Sequence, residues 1–179
     1  ARRWTDAGHA PMTMAVNLSG RQLWHSDLPQ RIELIIEETG IDPSRLELEL
    51  TESTIMGHED LAGERLRALK ALGVTLAIDD FGTGYSSLAY LKRFPIDVLK
   101  IDREFVRDVP HDVSDMEIAS AIVAMARTLR MRVVAEGVET GDQLEFLRGQ
   151  SCDLYQGFLF SPPVQPDAFV HLLGSTVVT

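Results

Sequence analysis

Short apolar stretches alternate with segments of helical period along most of the chain. Six stretches predict strands, because they are rich in Val, Ile and Leu and are bounded by polar or glycine-containing segments. They run from Thr13 to Leu18, Leu46 to Leu50, Val74 to Ile78, Val98 to Ile101, Arg132 to Ala135, and Leu154 to Phe160. Since strands and helices alternate, the pattern predicts βα units and a parallel sheet.

The first two predicted helices are each followed by a glycine that suits the left-handed position at a helix end. One runs from about Leu28 to Thr39 before Gly40, and the other ends at Gly73. By helical period, the positions facing the core are Leu28, Ile32, Ile35 and Ile36 in the first, and Leu66, Leu69 and Leu72 in the second.

Capping-box motifs predict the starts of two further helices. Ser114 with Glu117 precedes a helix from Asp115 to Leu129, and Thr140 with Gln143 precedes a short helix that ends near Leu147. The inward positions of the longer helix are Ile118, Ile122, Met125, Ala126 and Leu129.

The element order favours a barrel over an open dinucleotide-binding sheet, because no glycine-rich phosphate loop follows the first strand. A closed (β/α)₈ barrel has eight strands and about 250 residues, whereas six strands are predicted in 179 residues. The chain also starts at Ala1 without a methionine. We therefore expect one domain over residues 1–179, a TIM-type (β/α)₈ barrel that is truncated at its N-terminus and lacks its first strands.

Composition excludes some classes of function. The formal net charge of −10 argues against binding duplex nucleic acid, which needs many Lys and Arg side chains. A small phosphorylated ligand remains compatible, since metal ions can supply positive charge locally. The lone Cys152 cannot form an internal disulfide, which fits a cytoplasmic location. Apolar runs such as Ile118 to Ala126 are too short to span a bilayer, so we expect no membrane contact.

At or just after the C-terminal end of each predicted strand lies a side chain that can bind a metal or polarise water. In a βα barrel these strand ends converge on one face, where active sites of this fold are built. Oxygen ligands dominate the set, which suits hard cations such as Mg²⁺ or Mn²⁺. The residues are Asn17, Glu49, Asp79 with Asp80, Lys100 with Asp102, Glu136, and Gln156.

The adjacent pair Asp79 and Asp80 is central to this interpretation. One carboxylate can bridge two ions while the other completes the second site, and two ions about 3.5–4 Å apart can activate a water for attack on a phosphoester. Lys100 on the next strand can hold that water or stabilise charge on the phosphoryl group.

Each position also has a simpler structural explanation. A carboxylate at a strand end is often only a helix cap or a first-turn charge. Glu47 and Glu49 alternate with leucines, as on the solvated face of an edge strand. Asp79 and Asp80 precede a glycine and fit a turn, and Asp102 fits a cap or an arginine partner. The coincidence at six successive strands favours a shared site.

The stretches around these residues resemble the motifs of the EAL domain family, in order and over nearly the whole chain. They are Val16 to Ser19 with Gln22 and Leu23, Leu46 to Ser53 (LELELTES), Ala77 to Leu88 (AIDDFGTGYSSL), Leu99 to Val106 (LKIDREFV), Val133 to Thr140 (VVAEGVET), and Cys152 to Ser161 (CDLYQGFLFS).

The resemblance implies hydrolysis of cyclic di-GMP (c-di-GMP) to the linear dinucleotide with two Mg²⁺ or Mn²⁺ ions, on a barrel whose first strand is antiparallel. Lys100 then positions the nucleophilic water, while Glu139 and Gln156 support the site by hydrogen bonding. Glu52 anchors the loop from Phe81 to Ser87, which contributes to metal binding and often to homodimer formation. The implied metal ligands are Asn17, Glu49, Asp79, Asp80 and Glu136.

The Glu-Ala-Leu that names the family is absent from the sequence. With it go a metal-ligand carboxylate and a following arginine, so we expect little turnover from this chain alone. Sensory or diguanylate-cyclase (GGDEF) domains are the expected upstream neighbours. A c-di-GMP receptor without hydrolysis is the main alternative. Another metal-dependent barrel enzyme that abstracts a proton next to a carboxylate is a third, although it does not explain the Asp-Asp pair.

Overall fold

Six strands form one curled parallel sheet in a computed structural model that describes residues 2–55, 59–82 and 88–173. Each strand pairs in parallel with the next one along the chain. The predicted α/β order is confirmed, and the architecture is a partial (β/α)₈ barrel. The strands are β1 (Met14–Asn17), β2 (Leu46–Thr51), β3 (Thr75–Phe81), β4 (Val98–Ile101), β5 (Arg132–Ala135) and β6 (Leu154–Tyr155).

Helices connect the strands and cover one face of the sheet. In the described residues none of them is both long and apolar enough to cross a bilayer. The α-helices there are α1 (Arg2–Asp6), α2 (Gly20–Leu23), α3 (Leu28–Thr39), α4 (Glu52–Ile55), α5 (Glu59–Ala71), α6 (Leu88–Arg93), α7 (Val113–Thr128), α8 (Gly141–Gly149) and α9 (Pro166–Phe169). Short 3₁₀ helices span Pro43–Arg45, Arg103–Phe105 and Val170–Leu172.

The core lies between the sheet and the long helices. Strand residues such as Leu50, Leu76 and Leu99 are fully buried, as are Leu66 and Leu69 of α5. Burying a side chain of this size contributes about 1.5–3 kcal/mol relative to leaving it exposed. The inward positions predicted for α5 and α7 are therefore confirmed, with Leu72, Ile118, Met125 and Leu129 partly buried against the same cluster.

Both glycine helix ends are confirmed. Gly40 has φ 60° and Gly73 has φ 89°, backbone conformations that glycine adopts without steric cost. In α3, Leu28 and Ile32 are buried and Ile36 packs against the core. Ile35 is 52% exposed, so its predicted inward position is wrong, and the buried stripe of α3 is narrower than the sequence suggested.

One of the two predicted capping boxes forms. Thr140 and Gln143 cap α8 reciprocally as predicted. The box at Ser114 and Glu117 is wrong, because the side chain of Asp112 accepts a hydrogen bond from the Asp115 N–H. This earlier cap starts α7 at Val113 and places Ser114 inside the helix.

β1 and β2 differ from their predicted ranges by one residue at one end or both, whereas two other strands end well away from their predicted last residues. β3 continues past Ile78 to Phe81, so it includes both adjacent aspartates. β6 ends at Tyr155, although the apolar pattern predicted a strand to Phe160. The chain turns at Gly157 because its backbone packs against Val138, whose carbonyl accepts a hydrogen bond from the Leu159 N–H.

Carboxylates fix the register of the sheet at the N-terminal edge of the strands. Asp97 precedes β4 and accepts hydrogen bonds from the Leu76 N–H at 2.9 Å and from the Lys70 ammonium at 2.6 Å. Asp153 precedes β6 and accepts from the Val133 N–H at 2.7 Å. In both cases an aspartate before one strand binds a backbone amide of the preceding strand.

The contact at Gly157 leads to a stability prediction. A Cβ at this position would lie 2.1 Å from the Val138 carbonyl oxygen and 2.4 Å from its nitrogen. Gly157→Ala should therefore lower the free energy of unfolding by about 1–3 kcal/mol, as overpacking does elsewhere. Gly149→Ala is the matched control, since nothing lies within 4 Å of a Cβ there. Equal urea midpoints for the two variants would show that the close packing is not as described.

The single thiol is buried beneath β5 and β6. Cys152 lies 3.3 Å from the Leu154 carbonyl oxygen and 3.7 Å from that of Val133. Burial raises the pKa of the Cys152 thiol to about 11. The thiol therefore stays neutral in the folded protein at physiological pH.

This raised pKa gives a stability that depends on alkaline pH. The thiol of the unfolded chain ionises near pH 8.5, so between that pH and about 11 unfolding releases a proton. The free energy of unfolding then falls as the pH rises, by about 1–2 kcal/mol from Cys152 between pH 7 and pH 10. Urea titrations at both pH values should show a smaller fall for Cys152→Ala than for the unaltered protein. The same fall in both would contradict the assignment to this thiol.

Candidate metal centre at the strand ends

A buried lysine lies at the centre of the carboxyl-terminal edge of the sheet. The Lys100 ammonium on β4 is 2.8 Å from the Glu49 carboxylate, 3.0 Å from that of Asp79 and 2.5 Å from that of Glu136. Its side chain is only 5% exposed. The curled sheet thus brings side chains from β2, β3 and the end of β5 onto one cation.

The three carboxylates determine the protonation of this lysine. Burial by itself lowers the pKa of Lys100, but the hydrogen bonds that it donates to Glu136, Glu49 and Asp79 outweigh burial and raise the pKa above its usual value. Lys100 is therefore a fixed positive charge in this structure.

A β-bulge places the two adjacent aspartates on the same side of the sheet. Ile78 pairs with Leu99 and Phe81 with Ile101, so β3 has one residue more than β4 between these pairs. Asp80 has φ 53°, a left-handed conformation that Asp tolerates better than most residues. Without the bulge, adjacent side chains would point to opposite faces.

The bulge creates the closest group of acidic ligand atoms in the described residues. One carboxylate oxygen from each of Asp79, Asp80 and Glu136 lies within 4.8 Å of the others. The alternative that Asp79 and Asp80 form a simple turn is wrong, because both belong to β3.

Mutual repulsion and burial perturb these carboxyls. Burial raises the pKa of Asp80, and the neighbouring Asp79 charge and the Asp102 carboxyl raise it further. Burial also raises the pKa of Glu136, although its bond to Lys100 opposes that effect. Burial is the main cause of both shifts, and repulsion from Asp79 adds to each.

The glutamates of β2 are not on a solvated edge. β2 lies between β1 and β3, and Glu47 and Glu49 are 8% and 7% exposed. The Glu47 carboxylate lies 3.7 Å from the Arg132 guanidinium, and burial raises its pKa. The edge-strand interpretation of these residues is therefore wrong.

Asp102 has two contacts, and the sequence carries a signal for each. Its carboxylate accepts a hydrogen bond from the Glu104 N–H at 2.7 Å and so caps a 3₁₀ helix, as its alternative interpretation proposed. It also lies beside Asp80, whose pKa it raises. The spacing Lys100-Ile101-Asp102 was the signal for this second contact, because residues i and i+2 of a strand share a face.

Asn17 and Gln156 flank the cluster from its two sides. Asn17 pairs in register with Glu49, and Gln156 follows β6, where its N–H donates to the Ala135 carbonyl. Both side chains are exposed. Within the described ranges neither forms a hydrogen bond to the carboxylates around Lys100, so they lie next to the group rather than in it.

Glu52 and Glu139 occupy different environments. Glu52 is 4% exposed, and one carboxylate oxygen accepts a hydrogen bond from the Gly82 N–H at 3.4 Å. Its other oxygen is buried without a hydrogen-bond partner in the described part of the chain. The rest of the predicted loop from Phe81 to Ser87 lies outside the described residues. Glu139 is exposed, and its backbone N–H donates to the Gln143 side chain.

The charge and the donor types fit divalent hard cations. Four carboxylates (Glu49, Asp79, Asp80 and Glu136) and one ammonium group leave a formal charge of −3 at this edge. All the acidic donors are oxygens, which Mg²⁺ and Mn²⁺ prefer over softer ligands. No thiolate or imidazole belongs to the group described here.

The Lys100 contacts lead to a second stability prediction. Lys100→Met leaves three carboxylates without their cation, so in metal-free buffer we expect the free energy of unfolding to fall by about 3–5 kcal/mol. Arg93→Met is the matched control. It removes a cation from an ion pair with Asp60 whose side chains are 63% and 94% exposed, and such pairs contribute little. Similar losses for both variants in urea titrations with a chelator would contradict the central role of Lys100.

Comparison with known proteins agrees with this geometry. The chain matches the EAL domain family over residues 1–163. It is 51% identical over 167 residues to the cyclic di-GMP phosphodiesterase NbdA of Pseudomonas aeruginosa, covering 93% of this chain and 21% of NbdA. It is 50% identical over 163 residues to the bifunctional diguanylate cyclase/cyclic di-GMP phosphodiesterase MucR of the same species, covering 91% of this chain and 24% of MucR. The chain thus spans about a fifth to a quarter of these relatives.

Solved structures of this family superpose closely. The PaMucR phosphodiesterase in complex with c-di-GMP gives a TM-score of 0.90 at 48% identity, covering 94% of this chain and 68% of that one. Klebsiella pneumoniae BlrP1 with manganese and c-di-GMP gives 0.81 at 34% identity, covering 90% of this chain and 42% of BlrP1. This match excludes the unrelated proton-abstracting barrel enzyme. The chain belongs to the EAL domain family.

Proposed function

We propose that this chain forms the metal-binding part of a phosphodiesterase domain that hydrolyses c-di-GMP to the linear dinucleotide pGpG. The observation that carries the proposal is the contact of Lys100 with Glu49, Asp79 and Glu136, beside the paired carboxylates of Asp79 and Asp80. Similarity to phosphodiesterases that act on this dinucleotide supports the choice of substrate.

Five side chains would hold two Mg²⁺ or Mn²⁺ ions at this edge. In bound form such ions supply an activated water and stabilise the leaving oxygen of a phosphoester. The Asp79 carboxylate contacts the Lys100 ammonium and lies within 4.8 Å of the Asp80 and Glu136 carboxylates, so it would be the ligand central to the group. The ligands in this proposal are Asn17, Glu49, Asp79, Asp80 and Glu136.

Lys100 acts as a donor in this scheme. An ammonium group offers three N–H donors and no acceptor, and in this structure all three acceptors are carboxylates. When the carboxylates turn to other partners, the same N–H groups can orient the attacking water or neutralise charge on the phosphoryl oxygens. The three carboxylates keep this group charged, and its near-complete burial holds it in place.

Three further residues support the site in this proposal. Glu52 holds the start of the loop after β3 through the Gly82 N–H. Glu139 and Gln156 follow β5 and β6 and supply hydrogen bonds at the carboxyl-terminal edge of the sheet. The proposal also includes an upstream GGDEF or sensory domain and a cytoplasmic location. It further includes a homodimer contact through the loop after β3.

Turnover is the direct test of this function. Chromatography should detect pGpG when c-di-GMP and Mn²⁺ are incubated with a chain extended at its N-terminus to include the Glu-Ala-Leu strand. Asp79→Asn in that protein should reduce turnover at least as strongly as the roughly 10–100-fold loss typical of residues that only support a metal ligand. Glu145→Gln, an exposed carboxylate of α8, is the matched control and should leave turnover unchanged.

The same assay separates the alternatives. We expect the 179-residue chain alone to show little or no turnover, because a carboxylate ligand and an arginine of the family are absent from it. Turnover equal to that of the extended chain would refute this expectation. Tight binding of c-di-GMP by the extended chain without pGpG would instead identify a receptor.

A further inference from the structure

Gln143 in the first turn of α8 uses every polar atom of its side chain, although it is 4% exposed. Its Oε1 accepts hydrogen bonds from the Glu139 N–H at 2.7 Å and the Thr140 N–H at 2.9 Å. Its Nε2 donates to the Val106 carbonyl at 3.1 Å and to the Arg107 carbonyl at 3.0 Å. One buried amide therefore links the segment after β5 to the segment after β4.

A helix cap does not require the second pair of bonds. In a capping box either Glu or Gln at this position accepts from the N-cap backbone, which only Oε1 does here. The Nε2 donors serve two carbonyls that lie 36 and 37 residues earlier in the chain. The amide thus performs a role between segments that a carboxylate could not, since a second oxygen would face two carbonyl oxygens.

The segments that Gln143 joins carry residues of the metal centre. Asp102 directly precedes the 3₁₀ helix Arg103–Phe105, and Lys100 lies two residues before Asp102 in β4. The Val106 carbonyl that accepts from Gln143 follows this helix directly. Glu136 directly precedes the turn whose amides reach Gln143. The Lys100–Glu136 ion pair joins the same two stretches of chain, at residues closer to β4 and β5.

The 3₁₀ helix Arg103–Phe105 packs between two glycines of positive φ. A Cβ on Gly82 (φ 102°) would lie 2.7 Å from the Phe105 ring, and one on Gly137 (φ 69°) would lie 2.6 Å from the Arg103 Cβ. Gly82 follows Asp80 by two residues, and Gly137 follows Glu136 directly. The helix therefore lies against the backbone on both sides of the acidic group.

We propose that Gln143 is a positioning residue for the metal centre, which fixes the Arg103–Phe105 helix between the segments that carry Asp80 and Glu136. This role rests on the proposed function, because the positioned carboxylates are the proposed metal ligands. Gln143 itself contacts no ligand position. It acts through backbone carbonyls, and the two glycines transmit the position of the helix to the acidic residues.

Gln143→Glu tests this role, because it retains the acceptor for the Glu139 and Thr140 amides and removes the donor to Val106 and Arg107. Thr140→Ala is the matched control. It removes the hydroxyl that accepts from the Gln143 N–H and leaves the amide bridge intact. Mn²⁺ binding to the 179-residue chain is measured by electron paramagnetic resonance, and amide hydrogen exchange at Phe105, Val106 and Arg107 by NMR without metal.

We expect Q143E to raise the Mn²⁺ dissociation constant about tenfold, as loss of a residue supporting a metal ligand does. It should also accelerate exchange at the three amides, while T140A changes the dissociation constant less than twofold. Unchanged Mn²⁺ affinity in Q143E would overturn the role of Gln143 and leave the metal centre intact. Failure of the unaltered chain to bind Mn²⁺ would contradict the proposed function as well.

A measurement on the unaltered chain applies even if Q143E does not fold. If the bridge couples the two segments to the metal ligands, saturating Mg²⁺ must slow exchange at Phe105, Val106 and Arg107, because the coupling is reciprocal. We expect a slowing of severalfold there and none in α3. Equal exchange with and without bound Mg²⁺ would overturn the proposal.

Discussion

The ammonium group of Lys100 allows three carboxylates from separate strand segments to lie within hydrogen-bonding distance of one point. Burying those charges without a cation would cost several kcal/mol for each. The curl of the sheet, the bulge in β3 and the segment after β5 all place acidic groups around this one side chain. Burial, with repulsion between neighbouring carboxylates added to it, raises the pKa values of Asp80 and Glu136. One cation leaves four carboxylates with excess negative charge, so divalent ions suit the site.

Parallel strands normally present one functional side chain per strand end, and β3 presents two. The extra residue between Ile78 and Phe81 turns Asp80 back towards the face that Asp79 already occupies. Under the proposed function, two carboxylates on one face of one strand would serve two ions about 3.5–4 Å apart. The left-handed backbone of one residue thereby gives a single strand two carboxylates on one face.

The order of the elements and most of the site residues could be predicted from local sequence patterns. The carboxyl ends of parallel strands lie at one edge of the sheet, so the proximity of Glu49, Asp79 and Glu136 could be predicted from the sequence. The bulge at Asp80 could not, because it depends on register with β4 rather than on the sequence around it. The early end of β6 depends likewise on the close approach of Gly157 to Val138, and the cap of α7 on a competition that Asp112 wins. These strand and helix ends depend on tertiary contacts and on which residue caps the helix, and hydrophobic periodicity contains neither.

The aspartates before β4 and β6 act at the edge of the sheet remote from Lys100. Asp97 and Asp153 accept hydrogen bonds from the backbone amides of Leu76 and Val133. The strand alignment is therefore fixed by groups that do not belong to the acidic cluster around Lys100. Alignment and chemistry are thus assigned to opposite edges of the same strands. Sequence change in the segments after the strands can then alter the arrangement of the acidic groups while the sheet keeps its pairing.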